Sequence, residues 1–224
     1  MKREIINTSD GSTTIYLEQW DEHYHSKHGA IQEAYHVFIK SGLLEWIRQN
    51  DSKKLRILEI GFGTGLNAFI SFLEHYKLGL HINYHAAEAY PVNPQEVALL
   101  NYVAQLNAEH YKEAFELMHQ GHWDMDLAID TSFILRKRKQ FFDTIDDLKA
   151  FDLIYFDAFG ARVQPELWDV AMFERMYRAL DNNGILVTYA AKGSVRRAMQ
   201  EVGFLVEKLP GPPGKREMLR AVKN

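Results

Sequence analysis

Apolar positions along the chain fall into two periods, and the alternation between them predicts a mixed α/β protein. Arg3 to Thr8 and Thr13 to Leu17, rich in Ile, Thr and Tyr, flank Ser9-Asp10-Gly11-Ser12 and read as a hairpin with a glycine-assisted turn. Ala30 to Gln49 carries Ile31, Ala34, Tyr35, Phe38, Ile39, Leu43 and Trp46 at three- and four-residue spacing, the apolar stripe of a helix. Leu55 to Ile60 then reads as the first central strand, Leu66 to Tyr76 as a helix returning Leu66, Ile70, Leu73 and Tyr76 to the sheet, and Ile82 to Glu88 as a second strand. Pro94 to Gln120 predicts one long or two shorter helices, and Met125 to Leu135 a third strand irregular at Thr131-Ser132. Phe151 to Asp157 is nearly continuous apolar sequence, as a buried parallel strand requires. Pro165 opens a helix to Leu180, Ile185 to Ala191 is a fifth strand, and Ser194 to Val202 a further helix. The last two strands, Phe204 to Lys208 and Glu217 to Val222, are joined by Pro210-Gly211-Pro212-Pro213-Gly214. That connection is too short for a helical crossover, so they should be antiparallel neighbours.

A parallel α/β sheet that ends in an antiparallel hairpin departs from a standard dinucleotide fold. It predicts a class I methyltransferase architecture: a Rossmann-like, seven-stranded, mostly parallel sheet with a C-terminal antiparallel hairpin, preceded by a small β-hairpin and helix. The expected organisation is a single domain over residues 1–224, with an N-terminal extension (1–50) and a core (51–224).

Between the first central strand and its helix lies Gly61-Phe62-Gly63-Thr64-Gly65. Glycines there let the backbone turn sharply and approach a ligand, and the helix N-terminus that follows favours a negative group. Glu88 lies 23 residues after Gly65, near the spacing at which a βαβ unit brings a carboxylate to a bound ribose. Strand, loop, helix, strand and acid in this order predict a nucleoside-containing cofactor. Asp157 ends a central strand at the carboxyl edge, where open α/β sheets bind ligands.

Composition narrows the chemistry further. The 224 residues contain no cysteine, which excludes disulfides, thiolate zinc sites and a cysteine nucleophile. His23, His25 and His28 fit no helix-borne zinc pattern, so no metal is expected, and the aromatic, histidine-rich loop from Trp20 to Gly29 suits an acceptor pocket better. No signal-peptide core follows Met1 and no apolar run reaches a spanning length, so a cytoplasmic protein is expected. A formal net charge of −4 offers no general attraction to nucleic acid. Any such contact must be local, at Arg136-Lys137-Arg138-Lys139, at Lys192/Arg196/Arg197, or at Lys215-Arg216.

Taken together, Leu58 to Asn67, Asp157-Ala158-Phe159 with Pro165-Glu166-Leu167-Trp168, Lys192 to Arg197 and Gly214-Lys215-Arg216-Glu217-Met218-Leu219 resemble the methyltransferase domain of the MnmC family of tRNA wobble-uridine modification enzymes. The similarity extends to Tyr24 through Phe38, including Gly29 and Glu33. Because the chain ends at Asn224, the resemblance implies the stand-alone form, with no flavin oxidase domain and no flavin. It implies methyl transfer from S-adenosyl-L-methionine to the amine of 5-aminomethyl-(2-thio)uridine in tRNA, giving the 5-methylaminomethyl product, with a separate enzyme supplying the precursor. Glu59, Gly61, Phe62, Gly63, Gly65 and Asn67 would surround the methionine part of the cofactor, Glu88 its ribose, and Asp157 would lie beside it. Asp157, Phe159 and Lys192 would face the acceptor, Asp157 orienting the amine first and taking its proton second. Arg196, Arg197, Lys215 and Arg216 would meet tRNA phosphates. The family places a glycine-acid pair after the third strand, on the adenine side; here that stretch holds Arg136-Lys137-Arg138-Lys139-Gln140, which leaves the adenine contact open. Two other readings are a methyltransferase of a small amine or other metabolite and a catalytically silent cofactor-binding protein. Oligomeric state is not legible.

Overall fold

The computed structural model describes residues 2–224. The chain opens with a three-stranded antiparallel sheet of β1 (Arg3–Asn7), β2 (Thr13–Leu17) and the short β3 (Glu22–His23). A helix follows over 30–49. It begins as α1 (Ala30–Ala34), widens to π geometry over Tyr35–Leu43, and ends as α2 (Leu44–Gln49).

The core alternates strand and helix. Its elements are β4 (Lys54–Ile60), α3 (Leu66–Leu78), β5 (His81–Ala87), β6 (Asp126–Ala128), β7 (Phe133–Arg138), β8 (Phe151–Phe156), α7 (Val170–Ala179), β9 (Leu180–Thr188), α8 (Gly193–Glu201), β10 (Leu205–Pro210) and β11 (Glu217–Val222). Between β5 and β6 run α4 (Pro94–Val97), α5 (Tyr102–Gln105), a 3-10 turn and α6 (Lys112–Gln120). The sheet order is β10-β11-β9-β8-β4-β5-β7-β6. Strands β7, β5, β4, β8 and β9 are parallel, and β11 is antiparallel to both β9 and β10. The class I arrangement and its terminal hairpin are therefore present.

Four local expectations are corrected. The stretch 125–135 is not one strand: Asp130 accepts the backbone N–H groups of Ser132 and Phe133 at 2.6 and 2.7 Å, closing a turn that folds β6 back on β7 and adds an eighth strand. The region 94–120 breaks into short pieces, three helices and a 3-10 turn, although Val97, Leu100, Val103 and Leu106 all pack against the core. A 3-10 turn at Pro165–Trp168 precedes α7, which starts afresh where Asp169 caps the N–H of Met172. Tyr76 is 53% exposed and does not return to the sheet.

Most of Arg136-Lys137-Arg138-Lys139 belongs to β7 and is a strand, not a loop. Strand alternation sends Lys137 inward and pairs Arg136 with Asp126 and Arg138 with Asp147. Two apolar layers sandwich the sheet, one around Phe38, Phe69, Tyr84 and Tyr155, the other around Phe156, Trp168, Phe173 and Met176. No helix among the described residues is long and apolar enough to cross a membrane.

Candidate active site

Strands β4 and β8 are parallel neighbours in the middle of the sheet, so the loops that follow them emerge side by side. Asp157 N–H is bonded to Ile60 carbonyl at 3.0 Å, and the N–H groups of Gly61 and Phe62 share the carbonyl of Ala87. Gly61, Gly63 and Gly65 have φ of +96°, +49° and +72°, the region that glycine enters without steric cost. Lys137 supports this loop from below: its ammonium lies 4.9 Å from the Trp123 ring centre and 5.8 Å from that of Phe62, and it donates to the His119 carbonyl. Burial lowers its pKa to about 8.

Glu88 sits one residue beyond β5 and is 9% exposed. One carboxylate oxygen accepts the Gly63 N–H at 3.0 Å and the other the Tyr90 N–H at 2.8 Å, which locks the acid to the glycine loop. Desolvation raises its pKa against these hydrogen bonds.

Asn67, on the first turn of α3, donates one amide hydrogen to Glu59 at 2.9 Å and the other to Asp157 at 2.8 Å. Glu59 is wholly buried, and desolvation holds its pKa well above the ordinary carboxylate range. Asp157 is partly accessible through the cavity but otherwise enclosed. Desolvation first, then the charge of Glu33, pushes its pKa up to about 7, against the Asn67 hydrogen bond and the charge of Lys215.

Gly61, Phe62, Gly63, Asn67, Glu88 and Asp157 border one cavity of about 1300 Å³. Its lining combines the glycine loop, Asn67 and Glu88 with Asp157, Phe159 and Tyr189 and with the N-terminal segment from Trp20 to His28, whose Tyr24 packs against Gly63. Lys215, from the β10–β11 loop, reaches in and pairs with Glu33 at 2.5 Å, its ammonium 3.8 Å from the centre of the Tyr189 ring. Glu33 also accepts the Ser26 N–H, which ties helix α1, the N-terminal wall and the terminal hairpin loop together.

Several expected contacts are relocated. Glu59 and Gly65 do not border the cavity: Glu59 acts behind Asn67, and Gly65 caps α3 with its missing Cβ facing His119 and Phe62. Lys192 is exposed at the N-terminus of α8 and outside the cavity, because the strand ends at Thr188 and the chain turns away before it. The lysine that the fold brings in is Lys215. Arg196, Arg197 and Arg216 lie outside the cavity, Arg197 and Arg216 exposed. The His25 ring bridges the hydroxyls of Thr14 and Thr64, and burial lowers its pKa to about 4.

Glu33, Tyr189, Phe142 and Asp143 were not singled out as site residues. Glu33 reads as a polar helix position in the sequence. Because β7 runs on to Arg138, the loop after the third parallel strand starts several residues later than expected and brings Phe141, Phe142 and Asp143 to the cavity.

The residues present fit S-adenosyl-L-methionine. Asn67 Oδ1 is buried without a hydrogen-bond partner, beside two acids where a cofactor ammonium would be welcome. Each Glu88 oxygen has spent one acceptor site on backbone and keeps another for a ribose hydroxyl. Phe142 and Asp143 add an aromatic and an acidic group to the cavity lining, which could hold the adenine. Glu88→Gln, which keeps only one acceptor oxygen, should weaken binding of S-adenosylhomocysteine about tenfold by calorimetric titration; unchanged affinity would remove Glu88 from the cofactor site.

Comparison with known proteins follows the same line. The chain is 29% identical over 220 residues to the tRNA 5-methylaminomethyl-2-thiouridine biosynthesis bifunctional protein MnmC of Leptospira interrogans, covering 95% of this chain and 34% of that protein. With the protein of the same description from Azoarcus sp. it shares 30% identity, covering 92% and 34%. The chain thus spans about a third of the length of these curated relatives. Among solved structures, MnmC2 from Aquifex aeolicus superposes with a TM-score of 0.80 at 24% identity, covering 98% of this chain and 69% of that one. Spermidine synthase from Thermotoga maritima superposes with a TM-score of 0.60 at 12% identity, covering 99% and 68%. Both likenesses establish the fold. A family model matches residues 101–224, more than half of the sequence, and on that match the chain belongs to the S-adenosyl-L-methionine-dependent methyltransferase family.

Proposed function

We propose that this chain methylates the amine of 5-aminomethyl-(2-thio)uridine at the tRNA wobble position, giving the 5-methylaminomethyl nucleoside. The observation that carries this reading is Asp157, an acid whose pKa is raised to about 7, recessed beside Asn67 and Tyr189 in the cavity that the cofactor would share. The names of the relatives over nearly the whole of this chain support the same substrate.

When bound, the cofactor supplies an electrophilic methyl group on a positively charged sulfur. The acceptor is an alkylamine, protonated at neutral pH with a pKa of about 10, and it must lose that proton before its lone pair can form the new N–C bond. An ordinary aspartate holds protons too weakly to take it. Asp157 is a better acceptor because its surroundings disfavour charge, and it can hold the released proton at one carboxylate oxygen while Asn67 fixes the other. Proton acceptance thus joins orientation as its role. Lys215, paired with Glu33 and packed over Tyr189, places its charge beside a carboxylate that offsets its repulsion of the ammonium. The net charge of −4 favours the small-amine alternative, so the substrate needs a direct test.

Incubation with S-adenosyl-L-methionine and tRNA lacking the final methyl group should add one methyl to the wobble uridine, read by nucleoside mass spectrometry. Absence of the product from cofactor-binding protein would refute the tRNA reading. We also assign the exposed cations Lys192 and Arg197 to tRNA phosphates. The variant carrying Lys192→Glu and Arg197→Glu should bind tRNA more weakly, with the salt slope of the affinity reduced by about two. Its affinity for S-adenosylhomocysteine should not change. Unaltered tRNA binding would favour the small-amine alternative.

A further inference from the structure

The geometry points to Glu33 and Lys215 as positioning residues for the proton acceptor: the ion pair between helix α1 and the β10–β11 loop places two opposite charges that set how readily Asp157 holds a proton. This deepens the proposed methyl transfer and rests on it for the reaction that the proton serves.

Both charges are built into place. Glu33 is buried, and its two oxygens are separately engaged, Oε2 by the Ser26 N–H at 2.7 Å and Oε1 by the Lys215 ammonium. The loop that carries Lys215 is closed by its own backbone, the Lys215 N–H donating to the Pro212 carbonyl and the Gly211 N–H to that of Arg216. Two further contacts fasten it to the N-terminal extension. His36 Nε2 donates to the Pro210 carbonyl at 2.8 Å, and Gly214, at φ +83°, lies so close to the His28 ring that a Cβ would overlap it.

The pair is also connected to the acid. Glu33, Lys215, Tyr189 and Asp157 border the same cavity. The Lys215 ammonium lies 3.8 Å from the centre of the Tyr189 ring, and the Tyr189 hydroxyl donates at 2.8 Å to the carbonyl of Ala158, the residue after Asp157. A single aromatic side chain therefore links the ammonium to the backbone that carries the acid.

The two charges act on Asp157 with opposite sign. The Glu33 carboxylate raises its hold on a proton and the Lys215 ammonium lowers it. Glu59, Tyr84 and Tyr189 also face Asp157, and burial favours the uncharged form of each. A partly buried ion pair repays little of the cost of taking both charges out of water, and apolar side chains of similar volume often hold such a contact as well. Bracing alone does not call for charges here, whereas a charge pair beside a reacting acid tunes it.

The test reads Asp157 in the full chain by NMR of its side-chain carboxyl carbon, assigned with Asp157→Asn. Glu33→Gln can still accept the Ser26 N–H but carries no negative charge, so the Asp157 midpoint should fall by about one pH unit. Lys215→Gln removes the positive charge, and the midpoint should rise by about one pH unit. Lys215→Arg keeps the charge and should keep the wild-type midpoint. With tRNA lacking the final methyl group as substrate, the acidic limb of kcat should move with the midpoint in each variant. A pair that only braces the cavity is broken by either glutamine alike, so midpoints that stay in place or move in one direction overturn the proposal. Opposite midpoint shifts with an unmoved kcat limb, in an enzyme that methylates the tRNA, overturn it too. If the cofactor-binding wild type makes no methylated tRNA, the tRNA reading falls, and the NMR midpoints still decide what the pair does to Asp157.

Discussion

Asp157→Asn is expected to lower kcat by about 10²–10⁴-fold and, at the same time, to make the protein more stable above neutral pH. The carboxyl group has its pKa raised from 3.8 to about 7 by desolvation and by Glu33. Below pH 3.8 the folded and unfolded states both hold the proton. As pH rises from 3.8 to about 7 the unfolded state releases it first, so native stability falls across that window and stays reduced above it. Asparagine cannot ionise and escapes this cost, and its amide oxygen still accepts the hydrogen bond from Asn67. Thermal melts at pH 8 should therefore show a higher Tm for the variant, and melts at pH 4 a much smaller difference. In the wild type, kcat should fall as pH drops through about 7, and the residual activity of the variant should lack that limb. A variant of wild-type activity, or one destabilised at pH 8, would remove Asp157 from the role of proton acceptor. Stability given up at a reacting group is a common feature of active sites.

The second large effect is expected at Gly61. Its φ is +96°, and an added Cβ would lie 2.8 Å from the carbonyl oxygen of Asp157, where β4 and β8 leave the sheet together. Gly61→Ala combines backbone strain of about 1–3 kcal/mol with a clash against backbone that cannot step aside. It should lower Tm and weaken S-adenosylhomocysteine binding, and because the displaced neighbour is Asp157, kcat should fall as well. Gly79 provides the control, having φ of +62° and open space where its Cβ would stand. Gly79→Ala should show the strain alone, as a modest loss of Tm with cofactor affinity intact. Equal behaviour of the two variants would mean that the Gly61–Asp157 approach does not matter.

The cofactor half of the site was readable because it is local. Gly61 to Gly65, Asn67 and Glu88 come from one strand-helix-strand unit whose spacing is dictated by strand rise and helix pitch. Asp157, Phe159 and the loop from Trp20 to Gly29 were legible as well and border the cavity, but Glu33, Tyr189 and Lys215 were not, since they come from distant places in the chain. Glu33 on α1 and Lys215 on the terminal hairpin loop are 182 positions apart yet form an ion pair. A sequence window sees Glu33 as one more polar helix position and Lys215 as one more surface cation. Lys192, in contrast, looked well placed because it follows a central strand, but the strand stops at Thr188 and the intervening turn carries the lysine outside.

The basic run after the third parallel strand shows the limit from another side. Alternation along β7 makes neighbours of unlike fate: Lys137 is buried under the glycine loop, and Arg136 and Arg138 pair with aspartates on the opposite face. Charge density in the sequence carried no information about this, because the turn at Asp130 that sets the register is a matter of three hydrogen-bonded residues.

By itself the sequence determined the α/β class, the terminal antiparallel hairpin and the glycine loop with its acid, each governed by periodicity or by a short connection. Only the tertiary structure decided which lysine enters the cavity and which acid stands behind Asn67. Those outcomes depend on how separate elements pack and on how burial moves the charge of Asp157, and neither is encoded within a single window of the chain.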